Sequence, residues 1–142
     1  MKVYRMINLL LLVFLISGSS AFAQQNPLGD PDFGPDTASR KECLNKFVYM
    51  HDHAKQEQYN KAISGWRYCF TNCPKAKKTI YTDGEDIMLH KIKNTKGEER
   101  QAYVDTLMMI YDQRIEHFGQ KGYVLSKKGT YLAMYANQYK KA

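Results

Sequence analysis

Apolar side chains recur every three to four residues through most of the chain after residue 40, which is the spacing of one face of an α-helix. Five segments show this pattern, and no segment alternates apolar and polar residues as a half-buried strand does. The fourth segment has the longest stripe and stops at Gly119, a typical residue after a helix C-terminus. We therefore predict an all-α fold of about five helices. The stripe positions, segment by segment, are Leu44, Phe47, Val48, His51 and Ala54; Ala62, Ile63, Trp66, Cys69, Phe70 and Cys73; Ile80, Tyr81, Gly84, Ile87, Met88 and Ile92; Val104, Leu107, Met108, Tyr111, Ile115 and Phe118; and Leu125, Leu132, Met134, Tyr135 and Ala136.

Residues 1–23 have the three parts of a secretory signal peptide. Lys2 and Arg5 are basic, residues 6–16 are an apolar run, and residues 21–23 supply the small side chains of a cleavage site. The run is shorter than the roughly 20 apolar residues that a membrane-spanning helix needs. We expect an exported protein, periplasmic or associated with the cell surface, that does not span the membrane after cleavage. A retained membrane anchor is the alternative.

Residues 24–40 separate this signal from the helical part. They hold three of the chain's four prolines, which interrupt helices, and they show no apolar periodicity that would give something to bury. We predict a flexible leader here and one helical domain over residues 41–142. Asp36, Thr37 and Ser39 are the candidate N-caps of the first helix.

The net charge of the chain indicates which kinds of binding partner it attracts. The chain has 21 basic and 14 acidic residues, and loss of Lys2 and Arg5 leaves 19 against 14, a net charge near +5. In an exported protein, a basic surface is expected to attract acidic proteins, anionic glycans or lipid headgroups. We expect no nucleic-acid partner.

The chain lacks the usual catalytic and metal-binding motifs. HExxH, paired CxxC and CxxCH are absent from the sequence. His51 and His53 are two residues apart on a predicted helix, so they point to nearly opposite sides and do not readily hold one ion. Asp83, Glu85 and Asp86 are interpreted as a solvated helix face. We therefore predict no enzyme activity, metal or cofactor.

Three cysteines in an exported chain raise the question of a disulfide. Cys43 lies in the first turns of the first predicted helix and Cys73 at the end of the second, and these ends are neighbours in an antiparallel hairpin. We predict a Cys43–Cys73 bond, which stabilises by about 3–4 kcal/mol for a loop of this length, and a buried thiol at Cys69. A Cys43–Cys69 bond and the absence of any bond are the alternatives.

The second helical segment carries an aromatic residue, a small residue, a large aromatic residue, a second small residue and a closing proline at fixed offsets. This spacing resembles the second half of a tetratricopeptide repeat. The chain resembles the helical-repeat portion of periplasmic tetratricopeptide proteins from Bacteroidetes-type bacteria. The resemblance implies a short right-handed α-solenoid of antiparallel helix pairs, with Trp66 and Phe70 between one pair and the next. The residues that carry the pattern are Tyr59, Ala62, Ile63, Trp66, Cys69 and Pro74.

Two later segments share a second spacing. Ile80 and Ile87 flank Gly84 as Leu125 and Leu132 flank Gly129. A glycine inside a helix costs roughly 1 kcal/mol relative to alanine, so we expect each one where a helix is pressed against its partner. The two segments are farther apart than a repeat of about 34 residues. Two pairs and one extra helix are also fewer than the three repeats that usually make a stable stack, which predicts self-association or a larger assembly.

By this resemblance we expect a non-enzymatic module that binds a segment of another envelope protein on a concave face. Candidate contact residues lie off the apolar stripes: Lys46, Tyr49, His53 and Asp83. An accessory glycan-binding protein is the alternative, and exposed aromatic side chains among the 11 tyrosines would favour it.

Overall fold

The computed structural model describes residues 26–139, with side chains for residues 26–135. Over that range the chain forms helices and turns and has no strand, so the all-α prediction is confirmed. The predicted signal peptide, residues 1–23, lies outside the described residues. The elements are two 3-10 turns at Pro27–Gly29 and Pro31–Phe33, followed by α1 (Thr37–Lys55), α2 (Tyr59–Asn72), α3 (Thr79–Asn94), α4 (Gly97–Phe118) and α5 (Lys121–Tyr139).

Helices that are consecutive in the chain are neighbours in space. The most extensive contacts join α1 to α2 and α3 to α4, and smaller ones join α2 to α3 and α4 to α5. A further contact between α1 and α3 crosses from one pair to the other. Short connections between helices of this length favour antiparallel neighbours, so the sequence order alone accounts for most of the packing.

The contact between α2 and α3 is built around Trp66. Its side chain is buried, its Nε1–H donates a hydrogen bond of 2.9 Å to the carbonyl oxygen of Ile80, and its ring stacks on Phe70 at 4.9 Å between centroids. Gly84 lies against the same indole: a Cβ there would come within 2.8 Å of Cε2 and closer still to Nε1. The indole therefore fills the space where α2 meets α3.

Gly65 on α2 lets α1 approach closely. A Cβ on Gly65 would come within 2.8 Å of the carbonyl oxygen of Lys46 and 3.1 Å of Cβ of Met50. Ala62, one turn earlier on α2, is fully buried; the sequence pattern selected Ala62 but not Gly65. The close approach brings the α1 backbone onto α2.

The other α2 residues of the tetratricopeptide-like pattern lie in the core or at its edge. Cys69 and Phe70 are buried, while Tyr59 and Ile63 are half-buried at the edge of the core. Pro74 follows the end of the helix, and its carbonyl oxygen accepts a hydrogen bond of 2.9 Å from the Tyr81 hydroxyl. This bond ties the α2–α3 turn to α3.

The last helix differs from the sequence expectation. Gly129 is exposed and a Cβ there would meet nothing within 4 Å, so the predicted close packing at Gly129 is wrong. Leu125, Leu132 and Met134 are also exposed; the buried residues are Val124, which the predicted stripe lacked, and Tyr135, which it included. The helix is rotated relative to the stripe that the sequence suggested.

Ion pairs of α5 accompany that rotation. Lys127 forms an ion pair of 2.6 Å with Glu85 of α3, and Lys128 pairs with Asp112 of α4. These lysines share a helix face with Val124 and Tyr131, at spacings of three and four residues. Turning the leucine stripe inward would separate both pairs, and a buried charge that loses its partner is destabilising.

The segment before α1 also differs from expectation, because it does have something to bury. Phe33 is 1 % exposed, and the Lys77 ammonium lies 5.7 Å from the centre of its ring. The Arg40 guanidinium donates hydrogen bonds to the carbonyl oxygens of Gly34 at 2.8 Å and Leu28 at 3.2 Å. The lack of apolar periodicity did not indicate this burial, because a single side chain, Phe33, anchors the segment.

Asp36 is the N-cap of α1 among the three candidates. Its carboxylate accepts a hydrogen bond of 2.8 Å from the backbone N–H of Ser39. That bond lowers the pKa of Asp36 below its ordinary value. The Asp36 cap therefore fixes where α1 begins, directly after the proline-containing segment.

We expect Gly84→Ala to lower the free energy of unfolding by about 1–3 kcal/mol, the usual effect of overpacking a core. The buried, hydrogen-bonded Trp66 leaves the new methyl group no space. Gly129→Ala is the matched control, because it also replaces a glycine within a helix but at an open position; it should stabilise by up to about 1 kcal/mol. Urea unfolding followed by circular dichroism measures both. Equal effects of the two substitutions would contradict this packing.

We expect Phe33→Ala to destabilise by at most about 3 kcal/mol, the low end of the range for a buried phenylalanine, because the short segment can detach without unfolding the helices. Limited proteolysis between residues 26 and 36 should become faster. Leu28→Ala, at an exposed position of the same segment, should change stability by less than about 0.5 kcal/mol. Unchanged proteolysis in Phe33→Ala would show that the ring does not hold the segment.

Candidate binding surface

A groove of about 490 Å³ runs between α1 and α2. Gly65 lies at its base but is itself buried against α1, while Tyr49 lines it with 45 % of its surface exposed. Such a groove offers polar side chains and an aromatic ring to a ligand. The lining residues are Glu42, Asn45, Lys46, Tyr49, Ser64 and Gly65.

Three of the four predicted contact residues share this surface. Lys46 and Tyr49 line the groove, and the edge of the Tyr49 ring meets His53 at 4.4 Å between centroids. The Lys46 ammonium lies 5.8 Å from the centre of the Tyr68 ring, and His53 Nδ1 is 3.0 Å from Oε1 of Gln58. Residues three and four apart on a helix are neighbours, which is why the sequence could group these side chains on α1.

Asp83 lies apart from the other three. Its Oδ2 is 2.7 Å from Nδ1 of His51, and this bond joins α3 to α1. His51 is two residues from Tyr49 and from His53, so it projects from another side of α1. The two histidines therefore contact different residues on different sides of the helix. Burial raises the pKa of Asp83, and the hydrogen bond to His51 opposes that effect only in part.

A disulfide joins Cys43 to Cys73 and so connects the first turns of α1 to the end of α2. This pairing is the one that the positions of the helix ends favoured. Cys69 is a buried free thiol; its Sγ is 3.9 Å from the carbonyl oxygen of Cys43, and the three sulfur atoms lie within 4.8 Å of one another. Burial raises the pKa of Cys69 to about 12. The disulfide holds together the hairpin that carries the groove.

A buried charged cluster between α3, α4 and α5 was missed by the sequence reasoning. Glu85 and Arg114 are both 5 % exposed. Glu85 pairs with Lys127, and Arg114 donates a hydrogen bond of 3.2 Å to Oε1 of Gln120. Burial by itself lowers the pKa of Lys127, but the hydrogen bond and charge of Glu85 outweigh it and raise the pKa. Partners from separate helices leave no periodic signal in the sequence, so Glu85 was interpreted as solvated.

Fold and surface together define an all-α protein of paired helices, with a disulfide across the first pair and a groove along it. Within residues 26–139, no helix combines the length and the apolar character needed to cross a membrane. Comparison of the chain with models of protein families, with curated proteins and with solved structures finds no match.

The burial of Asp83 predicts how the stability of the protein changes with pH. The folded-state pKa of Asp83 lies above its ordinary 3.8, so the native protein binds this proton more tightly than the unfolded chain does. The stabilising contribution is therefore complete below the ordinary pKa and is lost as pH rises through the folded pKa. Asn does not titrate, so we expect Asp83→Asn to gain stability relative to wild type as pH rises from about 4 to about 7.

Urea unfolding at half-unit pH steps measures this difference. Asp52→Asn is the control, because Asp52 is exposed on the same helix as His51. Its difference from wild type should stay level over the same range. A level or falling difference for Asp83→Asn would show that burial does not control this carboxyl group.

Proposed function

We propose that this protein is a non-enzymatic interaction module of the bacterial envelope, which binds an acidic segment of another exported protein in the groove between α1 and α2. The observation that carries the proposal is the groove itself, with Tyr49 exposed at its edge, on a hairpin closed by the Cys43–Cys73 bond. A surface fixed in this way loses little conformational entropy when a ligand binds.

The chemistry of the groove suits a polypeptide. Asn45 and Ser64 supply donors and acceptors for peptide groups. Tyr49 supplies a large apolar ring with a polar hydroxyl, a residue type that is enriched in the centres of protein interfaces. An apolar or aromatic side chain of the partner would pack on this ring.

Charge favours an acidic partner. Lys46 lines the groove and Lys61 is exposed on α2, one turn before Ser64, whereas Glu42 is the acidic residue of the lining. Lys46 and Glu42 balance within the lining, so the preference rests on the net charge of the chain, which is +7 in full and near +5 (19 against 14) without Lys2 and Arg5. A basic surface speeds the encounter with an acidic segment and disfavours basic competitors.

The tyrosines favour a protein partner over a glycan. Tyr111, Tyr131 and Tyr135 stack on one another, with centroid separations of 6.3 and 6.2 Å. Tyr123 is exposed, but the Arg114 and Lys127 cations lie over its ring at 5.5 and 5.8 Å. A sugar platform needs a free aromatic face, which the three stacked rings do not offer; Tyr49 and Tyr123 keep 45 % and 58 % of their surface exposed.

The proposal includes a tetratricopeptide-like stacking of the two helix pairs. Its support is the strong contact within each pair, the weaker contacts of α2 and α1 with α3, and the Trp66 indole between the pairs. Export to the envelope is proposed from the signal-like residues 1–23. In this arrangement Tyr49 and Lys46 belong to the first helix of the first pair.

The test is binding of the processed chain to a displayed library of acidic, neutral and basic peptides, with a glycan array in parallel. We expect acidic peptides with an aromatic or aliphatic residue to be selected. Tyr49→Ala should weaken the selected peptides at least tenfold, about 1.4 kcal/mol. Met109→Ala, which removes an exposed apolar side chain from α4, should change affinity less than twofold.

Lys46→Glu separates charge from shape. It should reverse the preference toward basic peptides while leaving helicity unchanged, because Lys46 is exposed. Selection of basic peptides by the wild type, or equal losses in the Tyr49 and Met109 variants, would reject the groove. Glycan binding that depends on Tyr49 would establish the alternative function.

A further inference from the structure

The cysteine cluster holds a free thiol directly beside a disulfide. Cys43 is bonded to Cys73, and the Cys69 sulfur belongs to the same group of three within 4.8 Å. Cys69 and Cys73 are one helical turn apart, so both face Cys43 from α2. The Cys69 sulfur also lies 3.9 Å from the Cys43 carbonyl oxygen. Cys43 therefore has two sulfur neighbours on the opposite helix.

Chain entropy does not discriminate between these two neighbours. A bond to Cys73 closes a separation of 30 residues, and a bond to Cys69 would close one of 26. Since the entropic gain varies with the logarithm of loop length, the two bonds differ by only about 1.2-fold in equilibrium constant from this source. Local packing at the end of α2 decides which bond forms.

We infer that Cys43, Cys69 and Cys73 form an exchangeable disulfide, in which Cys69 can replace Cys73 as the partner of Cys43. Cys69 first gives its proton to solvent, and its thiolate attacks Sγ of Cys43. The Cys43–Cys73 bond breaks as the Cys43–Cys69 bond forms. The electron pair passes to the Cys73 sulfur, which takes up a proton. The oxidation state of the protein does not change, and no external reagent is consumed.

Exchange moves the free thiol to a different environment. Cys69 is within α2 against α1, whereas Cys73 follows the last residue of α2 and lines a shallow cleft of about 380 Å³ beside the N-terminal segment. Pro31 and Gly34 form the other side of that cleft. The exchanged form therefore places its thiol, at a position that is 2 % exposed, beside the segment anchored by Phe33.

The rate should depend strongly on pH. Burial raises the pKa of Cys69 to about 12, and the positive charge of Lys46 on α1 lowers it only in part. The thiolate fraction therefore rises about tenfold for each pH unit through the neutral and mildly alkaline range. Exchange should be slow at neutral pH and about 100-fold faster two units higher.

The experiment follows the position of the free thiol in the wild-type protein. Samples are held without oxygen at neutral and alkaline pH, acidified, alkylated under denaturing conditions and digested with chymotrypsin. Cleavage after Phe70 separates Cys69 from Cys73. We expect the alkyl label on Cys69 at the start and an increasing share on Cys73 with time at alkaline pH. Cys69→Ala should keep its disulfide and take up no label.

A second variant tests the alternative bond directly. In Cys73→Ala we expect a Cys43–Cys69 disulfide within the monomer, no free thiol and unchanged helical circular dichroism. Cys43→Ala is the control, because it keeps both cysteines of α2 but removes their common partner. Label that stays on Cys69 in the wild type at alkaline pH would overturn the inference. Two free thiols in folded Cys73→Ala after air oxidation would overturn it too.

Discussion

The rest of the fold depends on the contact between the Trp66 indole and the α-carbon of Gly84. The two helix pairs meet where this indole lies, and its Nε1–H bonds to the backbone of α3 at Ile80. An indole N–H is costly to bury without an acceptor. The hydrogen bond therefore fixes the ring orientation, and the ring orientation fixes how close α3 can come. A side chain at position 84 would overlap the indole, because α3 already lies against the ring.

Sequence reasoning identified the parts of the fold that are local in the chain. The helices and the buried stripe of α2 with Ala62 and Trp66 follow from spacings of three or four residues. Gly84 was expected against its pair partner α4, but its closest contact is with Trp66 of α2. The proximity of Cys43 and Cys73 follows from the geometry of one hairpin. Lys46, Tyr49 and His53 could likewise be grouped because they lie on one helix. Asp83 could not be placed correctly, since its partner His51 is 32 residues away.

The structure differs from the sequence-based prediction where contacts with residues distant in the chain override the local pattern. Gly129 has apolar residues at the same offsets as Gly84 but no indole facing it. The orientation of α5 follows the ion pairs of Lys127 and Lys128, whose acidic partners lie on α3 and α4. Phe33 is isolated among prolines, so its burial has no periodic signal. Each of these outcomes required knowledge of which elements meet, which periodicity within one segment does not contain.

Different interactions hold the two ends of the helical part in place. At the α1 end, Phe33, the Arg40 hydrogen bonds and the Cys43–Cys73 bond hold the hairpin in one arrangement. At the α5 end, charged pairs provide much of the attachment and a leucine stripe faces outward. A buried ion pair contributes less net stability than apolar packing of equal size. The groove between α1 and α2 therefore lies at the end of the molecule that is held most firmly.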